Sequence, residues 1–145
     1  MMIEYAISAC LCGSNVRYDG SNKVNEQCKK LYDEGRAILI CPEVMGGLLI
    51  PRNPSEMRDG KVYSNAGKDV TAEFLNGASL AISLIEKYPS IHTIILKESS
   101  PSCGVNEIYD GSFSGNKIKG NGVFLNELPK KYRVLTENDL TKITL

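Results

Sequence analysis

Ala-Ile-Leu-Ile-Cys, residues 37–41, is a run of aliphatic side chains that ends in a cysteine. Two other runs have the same apolar character, at residues 3–8 and 93–97. Short runs rich in β-branched residues are typical of β-strands, and near-continuous apolarity indicates a sheet covered on both faces. The three runs therefore predict three buried strands of one sheet.

Two segments between these runs have apolar residues at the three- and four-residue spacing of an amphipathic helix. The first begins at a cap, Ser21 or Asn22, and ends at Gly35, with an apolar face formed by Val24, Cys28 and Leu31. The second begins at Asp69 or Thr71 and ends before Pro89, with an apolar face formed by Phe74, Ala78, Ala81 or Ile82, Ile85 and Tyr88. The sequence therefore predicts a helix between each pair of strands.

A further helix at residues 122–128 and a strand at 132–135 complete the predicted elements. Strands that alternate with helices indicate right-handed crossovers over a parallel sheet. The prediction is an α/β fold, a single-domain, three-layer, Rossmann-like sandwich with a mainly parallel sheet, spanning residues 1–145. The long segments 42–68 and 99–119 are predicted as loops, and loops of such length are commonly functional.

Charge and length exclude several classes of protein. The 145 residues contain 17 Lys and Arg and 17 Asp and Glu, a formal net charge of zero, which argues against binding a nucleic-acid polymer or a membrane surface through bulk charge. The first residues lack the basic region of a signal peptide, and no apolar run reaches the length of a membrane span. We expect a cytoplasmic protein whose partner is a small molecule, and nothing in the sequence specifies an oligomeric state.

Five cysteines in a chain without a secretory signal indicate metal ligation, nucleophilic chemistry or burial rather than a disulfide framework. Cys10, Cys41 and Cys103 each follow or end a predicted strand. Carboxyl ends of parallel strands meet at one edge, where open α/β sheets bind ligands, so these three thiols are expected to converge. Helix N-termini face the same edge and are expected to lower the thiol pKa values.

Three thiolates without an equally placed fourth ligand suit a soft metal site with one open coordination position, and both zinc and an iron–sulfur cluster fit. Cys12 forms Cys-x-Cys with Cys10 and is an alternative fourth ligand. Cys28 fits burial on its helix face. His92 precedes a strand at the opposite end from the cysteines, which indicates a surface or packing role.

The chain contains, in order, the motifs Ser8-Ala9-Cys10-Leu11 with Gly13, residues 16–20 (Val-Arg-Tyr-Asp-Gly), Cys41-Pro42-Glu43 with Gly46-Gly47-Leu48 and Pro51-Arg52, Asp69-Val70-Thr71, residues 99–104 (Ser-Ser-Pro-Ser-Cys-Gly) and Tyr109-Asp110-Gly111. These motifs resemble the DUF523 family of small bacterial proteins, which includes thiouracil desulfurase, and the resemblance covers nearly the whole chain. Residues 47–50 (Gly-Leu-Leu-Ile) depart from the family pattern before Pro51, which affects substrate identity rather than cofactor binding.

The resemblance implies a [4Fe-4S] cluster bound by Cys10, Cys41 and Cys103, with the fourth iron open to bind the sulfur of the substrate. It further implies a non-redox desulfuration of a thiolated nucleobase such as thiouracil, in which C=S becomes C=O and sulfur leaves as sulfide. The expected partner is therefore a small thiolated nucleobase.

Five side chains near these motifs are candidates for the chemistry. Glu43, two residues after a ligand cysteine, suits acid–base work, for which a pKa raised by burial would be favourable. The hydroxyl of Ser100 or of Ser102 can orient water or the substrate ring, and the resemblance favours Ser100. Arg52 suits a clamp on a carbonyl or anionic ring, with a structural ion pair to Glu56 or another acid as the alternative. Arg17 is a second candidate for substrate binding.

Two other functions compete with a desulfurase. The first is a metal-binding or sulfur-carrier module that holds zinc or an iron–sulfur cluster without turning over a small molecule. The second is a thiol–disulfide protein that uses Cys10 and Cys12, which is disfavoured because the usual redox motif has two intervening residues.

Overall fold

The computed structural model describes residues 2–140; Met1 and residues 141–145, the ends of the predicted domain, lie outside the described residues. In chain order the elements are β1 (Tyr5–Ser8), α1 (Glu26–Asp33), β2 (Ala37–Ile40), α2 (Pro42–Met45), β3 (Ser55–Arg58), β4 (Lys61–Ser64), α3 (Thr71–Glu86), β5 (Thr93–Leu96), β6 (Glu107–Tyr109), β7 (Lys117–Lys119), α4 (Val123–Glu127) and β8 (Arg133–Thr136). Within residues 2–140, no helix is both long and apolar enough to span a bilayer.

The central sheet has four parallel strands in the order β2-β1-β5-β8. Tyr5 lies in register with Ala37 on one side and with Thr93 on the other. Because the strands start level and each has four residues, their carboxyl ends form one even edge. The predicted parallel sheet is confirmed.

Helices cover both faces of this sheet. Phe74, Ala78 and Ile85 of α3 are buried with Ala6 and Ile94 in one apolar cluster. On the other face, Cys28 and Leu31 of α1 are buried with residues such as Ile7 and Ile95. The alternation of Ile94 and Ile95 between the clusters explains the continuous apolarity of the strand. The three-layer α/β architecture is confirmed.

The start of the first helix differs from the prediction. Asn25, rather than Ser21 or Asn22, caps α1, and its side chain accepts a hydrogen bond from the Cys28 N–H at 3.1 Å. The preceding segment is held in an irregular conformation, because the N–H of Lys23 donates to the Cys10 carbonyl at 3.0 Å. Val24 is consequently 47% exposed and does not belong to the apolar helix face.

The two segments predicted as loops contain regular structure. Strands β3 and β4 pair antiparallel in a hairpin at residues 55–64, and β6 and β7 pair in a second hairpin at residues 107–119. In the first, Asp59 and Gly60 have φ values of 53° and 77°, as a two-residue hairpin turn requires. Neither hairpin carries a long apolar run, so the hydrophobic pattern did not indicate them.

Candidate metal centre and adjoining cavity

The even edge of the sheet places three cysteines around one cavity. Cys10 lies in the 3₁₀ turn after β1, Cys41 joins β2 to α2, and Cys103 lies in the segment after β5. All three line a cavity of about 50 Å³. The structure thus brings together thiols that are 31 and 62 positions apart in the sequence.

Burial raises the pKa of each of these thiols. The pKa of Cys10 rises to about 11 and that of Cys103 to about 12, and neighbouring thiols add to both shifts. Burial also raises the pKa of Cys41, against a smaller lowering by hydrogen bonds from the N–H groups at the start of α2. The expectation that helix N-termini lower the thiol pKa values is therefore wrong, because desolvation outweighs them. A bound cation must displace these protons.

The spacing of the donors bears on the kind of metal group they fit. Within residues 2–140, no three His, Cys, Asp or Glu side chains are gathered closely enough for one metal ion. A single zinc needs every sulfur within about 2.3 Å of one point. Three soft thiol donors around one cavity suit an iron–sulfur cluster, in which each thiolate binds a different iron.

Cys12, the predicted alternative ligand, lies elsewhere, as do Cys28 and His92. Cys12 is buried but does not line the cysteine cavity, and Cys28 is fully buried on α1. His92 lies beyond the opposite end of the sheet, where its imidazole is half-exposed and 3.6 Å from the Glu4 carboxylate. The predicted surface position of His92 is confirmed.

Close glycine contacts fix the segment that carries Cys41 and Glu43. A Cβ on Gly77 of α3 would overlap the Pro42 carbonyl oxygen, and one on Gly46 would overlap the Glu73 carbonyl oxygen. These glycines therefore let α2 press directly against α3. Gly46 has a φ of −79°, which other residues also adopt, so glycine is required here by this contact.

Both carboxylate oxygens of Glu43 are engaged. Oε1 accepts hydrogen bonds from Arg52 Nε at 3.3 Å and Arg52 Nη2 at 3.1 Å, and Oε2 accepts one from Ser102 Oγ at 2.8 Å. Arg52 also donates to the carbonyl oxygens of Leu49 and Val16. The acid paired with Arg52 is therefore Glu43, and this guanidinium orients the carboxylate.

The two candidate serines form a chain that begins at Glu43. Ser102 Oγ lies 3.2 Å from Ser100 Oγ and 3.7 Å from Cys103 Sγ. Ser100 Oγ accepts a hydrogen bond from the Cys103 N–H at 2.6 Å. The Glu43 carboxylate, the two serine hydroxyls and the third thiol are consequently held in one connected network.

A larger cavity of about 420 Å³ adjoins the cysteine cavity. Five side chains line both cavities: Arg17, Glu43, Arg52, Lys97 and Ser100. The two hairpins form its roof, with Ser55 and Glu56 from the first and Tyr109 and Phe113 from the second. The cavity is large enough for a small planar molecule to approach the thiols.

Glu98 supports the third cysteine, and sequence reasoning missed it. Its Oε1 accepts hydrogen bonds from the N–H groups of Ser99, Val105, Asn106 and Glu107. Burial acts to raise the pKa of Glu98, but the backbone donors outweigh it and the pKa is lowered. The available signal was a charged pair, Lys97 and Glu98, directly after a fully buried strand.

Comparisons with known proteins agree with this geometry. A family model described as 2-thiouracil desulfurase matches residues 5–139. The uncharacterized protein YbbK of Bacillus subtilis (strain 168) is 40% identical over 148 residues, which cover 94% of this chain and 97% of YbbK. A solved structure of a [4Fe-4S]-dependent thiouracil desulfidase, TudS (DUF523Vcz), matches with a TM-score of 0.88 and 43% identity, over 96% of this chain and 93% of that one.

Proposed function

This chain belongs to the 2-thiouracil desulfurase family, and from that premise we propose that it removes sulfur from a thiolated nucleobase such as 2-thiouracil with an iron–sulfur cofactor. The observation that carries the proposal is the shared wall of the two cavities, where Glu43 and Ser100 face both the cysteines and the larger space. The reaction consumes water and releases hydrogen sulfide as C=S becomes C=O, so no net oxidation or reduction occurs.

The ligands in this proposal are Cys10, Cys41 and Cys103, which would hold a [4Fe-4S] cluster. Such a cluster supplies an iron with an open coordination position, a Lewis acid for the sulfur of a thiocarbonyl. Support comes from the three thiols around one cavity and from the cofactor of the similar TudS.

Glu43 is the proposed acid–base residue. Arg52 and Ser102 fix its carboxylate at the boundary of the two cavities, where it can accept a proton from an attacking water. Ser102 and Ser100 continue the hydrogen-bonded chain, and Ser100 can orient the water or the ring because it lines both cavities.

The two arginines have different proposed tasks. Arg52 lines the cavity, but its N–H groups donate to Glu43 and to two backbone carbonyls. Its proposed task is therefore twofold: to bind substrate and to position the Glu43 carboxylate. Arg17 lines both cavities; its guanidinium lies 5.9 Å from the centre of the Tyr18 ring and, among residues 2–140, forms no hydrogen bond or ion pair. Its guanidinium is therefore proposed to bind a carbonyl or anionic ring.

The test is turnover of 2-thiouracil by protein reconstituted without oxygen, with uracil and sulfide both quantified. We expect equal amounts of the two products from the unmodified chain. Glu43→Gln should keep the iron content but lower kcat by about 100-fold or more, because it removes the proton acceptor and preserves the shape. Absence of turnover by the iron-loaded chain, or near-normal kcat in Glu43→Gln, would contradict the proposal.

A further inference from the structure

Three residues other than glycine have a backbone in the left-handed region. They are Asp59, Ser99 and Phe113, with φ values of 53°, 71° and 56°. Asp59 is explained by its two-residue hairpin turn. Ser99 and Phe113 both line the 420 Å³ cavity. Phe113 is the unusual one, because a bulky side chain rarely adopts this conformation and strain of this kind concentrates at functional sites.

A carboxylate on the neighbouring hairpin holds Phe113 in place. Glu56 Oε1 accepts hydrogen bonds from the N–H groups of Phe113 at 3.1 Å and Gly111 at 3.0 Å. A Cβ on Gly111 would lie 2.7 Å from both Arg58 Cβ and the Met57 carbonyl oxygen. The tip of the second hairpin is therefore pressed onto the first, and two hydrogen bonds to one oxygen stabilise the strained backbone.

This conformation places an aromatic ring at the cavity mouth. The Phe113 side chain lines the cavity and remains 37% exposed. Tyr109 and Pro101 contribute further apolar surface to the same walls, whereas Glu43 and Ser100 supply polar groups. The Phe113 ring is partly in water, so it gains contacts when a planar ligand covers it. The polar groups of the cavity can bind the edge of the same heterocycle.

We propose that Phe113 is a specificity-determining residue that packs against the face of the bound heterocycle. The backbone strain at Phe113 is retained because it aims the ring into the cavity. The identity of the heterocycle rests on the proposed function, whereas the contact of a planar ring with Phe113 does not require desulfuration to occur.

The direct test is calorimetric measurement of the binding of uracil, the sulfur-free product of the proposed reaction, to the iron-loaded protein. Phe113→Ala should weaken binding about five- to tenfold, the lower range for loss of base–aromatic stacking, and should raise KM for 2-thiouracil similarly while kcat stays within about twofold. Phe113→Tyr should bind uracil as the unmodified chain does. Ile118→Ala is the matched control, because Ile118 is 49% exposed on the same hairpin and lies outside the cavity lining.

A Phe113→Gly variant separates recognition from scaffolding. Glycine tolerates the left-handed backbone, so this variant should melt at a higher temperature than Phe113→Ala while binding uracil equally weakly. If Phe113 serves only the shape of the hairpin, Phe113→Gly should restore uracil binding to the normal value, which would overturn the proposal. Unchanged uracil affinity in Phe113→Ala would also overturn it.

These outcomes are distinguishable from failure of the proposed function. An unmodified chain that binds uracil but leaves 2-thiouracil intact, with weaker uracil binding in Phe113→Ala, supports the role of Phe113 and contradicts desulfuration. Normal turnover of 2-thiouracil with an unchanged KM in Phe113→Ala supports desulfuration and overturns the role of Phe113.

Discussion

The segments around the cysteine-lined cavity are largely buried, whereas of the two hairpins over the larger cavity the first is partly buried and the second largely exposed. Around the cysteines, α2 contacts α3 through glycines, and a Cβ on Gly122 would overlap the Ser102 carbonyl oxygen. The hairpins are joined by the hydrogen bonds of Glu56 to two N–H groups and by one close contact of Gly111 with residues 57 and 58, and every residue of β7 is exposed. The cysteine cavity is thus enclosed by several close backbone contacts, and the larger cavity by fewer.

This difference has a functional meaning. A metal group needs ligands at fixed positions, because a small displacement of a ligand lowers affinity and alters reactivity. A substrate site benefits from elements whose sequence can change without disturbing the core. Changes in the buried wall are therefore expected to affect stability and cofactor content, whereas changes in the roof should affect substrate binding.

The largest expected loss of stability comes from Glu98→Gln. The variant loses charge-assisted hydrogen bonds from four backbone N–H groups, so we expect about 2–3 kcal/mol of destabilisation in urea unfolding at pH 7. The pKa of Glu98 is lowered by folding, so its stabilisation is fully present above the unfolded pKa and is lost as pH falls through the folded value. The unmodified chain should lose stability on acidification more steeply than Glu98→Gln.

Similar acid sensitivity in the two proteins would contradict this role of Glu98. A suitable control is Glu107→Gln, because the Glu107 side chain is exposed while its N–H still donates to Glu98.

Gly77→Ala tests the packed wall next. The new Cβ would overlap the Pro42 carbonyl oxygen, so α2 must move away from α3, at a cost of about 1–3 kcal/mol. Because α2 follows Cys41 directly, iron content after reconstitution should fall as well. Gly67→Ala is a control for iron content: its Cβ would meet nothing within 4 Å, but its φ of 82° is strained for alanine, so it should lose stability while keeping its iron. Normal iron content in Gly77→Ala would show that the close contact is dispensable for the cysteine cavity.

Glu56→Ala addresses the roof. Loss of its two hydrogen bonds should cost about 1 kcal/mol, since the side chain is partly exposed, and should raise KM for 2-thiouracil several-fold without reducing iron content. Iron analysis and steady-state kinetics on the same preparation check the predicted iron content and the predicted KM. A fall in iron content with unchanged KM would place Glu56 in support of the cofactor side and erase the contrast between the two regions.

Cys12→Ser should have the smallest effect. Cys12 is buried outside the cysteine cavity, so its replacement should lower stability by about 1 kcal/mol and leave the iron content unchanged. If the folded Cys12→Ser protein lacks iron, Cys12 is a ligand and the proposed open coordination position does not exist.

The central sheet and the position of its cysteines were predictable because β1, β2 and β5 are short apolar runs, and Cys10, Cys41 and Cys103 lie in the segments that follow them. The hairpins were not, because β3 is Ser-Glu-Met-Arg and β7 is Lys-Ile-Lys, which bury little and follow no clear alternation. Local signals predicted Ser21 or Asn22 as the cap of α1, but the cap is Asn25, because a backbone contact of Lys23 with the turn after β1 keeps the preceding segment irregular.

The hydrogen-bond partners of the site side chains could be identified only from the structure. The sequence predicts Arg52 as a substrate clamp from its place beside a proline. Its contact with Glu43, nine residues earlier, depends on the fold and has no sequence signal. Phe113 carried no sequence signal, because its position over the cavity depends on a left-handed backbone and on Glu56, 57 residues earlier.

The most direct test of cluster binding by the three cysteines is iron and acid-labile sulfide content, with the visible spectrum, after reconstitution without oxygen. We predict about four of each per chain, lost on Ser replacement of Cys10, Cys41 or Cys103 and retained on Ser replacement of Cys12 or Cys28. Circular dichroism should show all five variants folded. One zinc and no iron in the unmodified folded chain, or iron that persists without Cys103, would contradict the account.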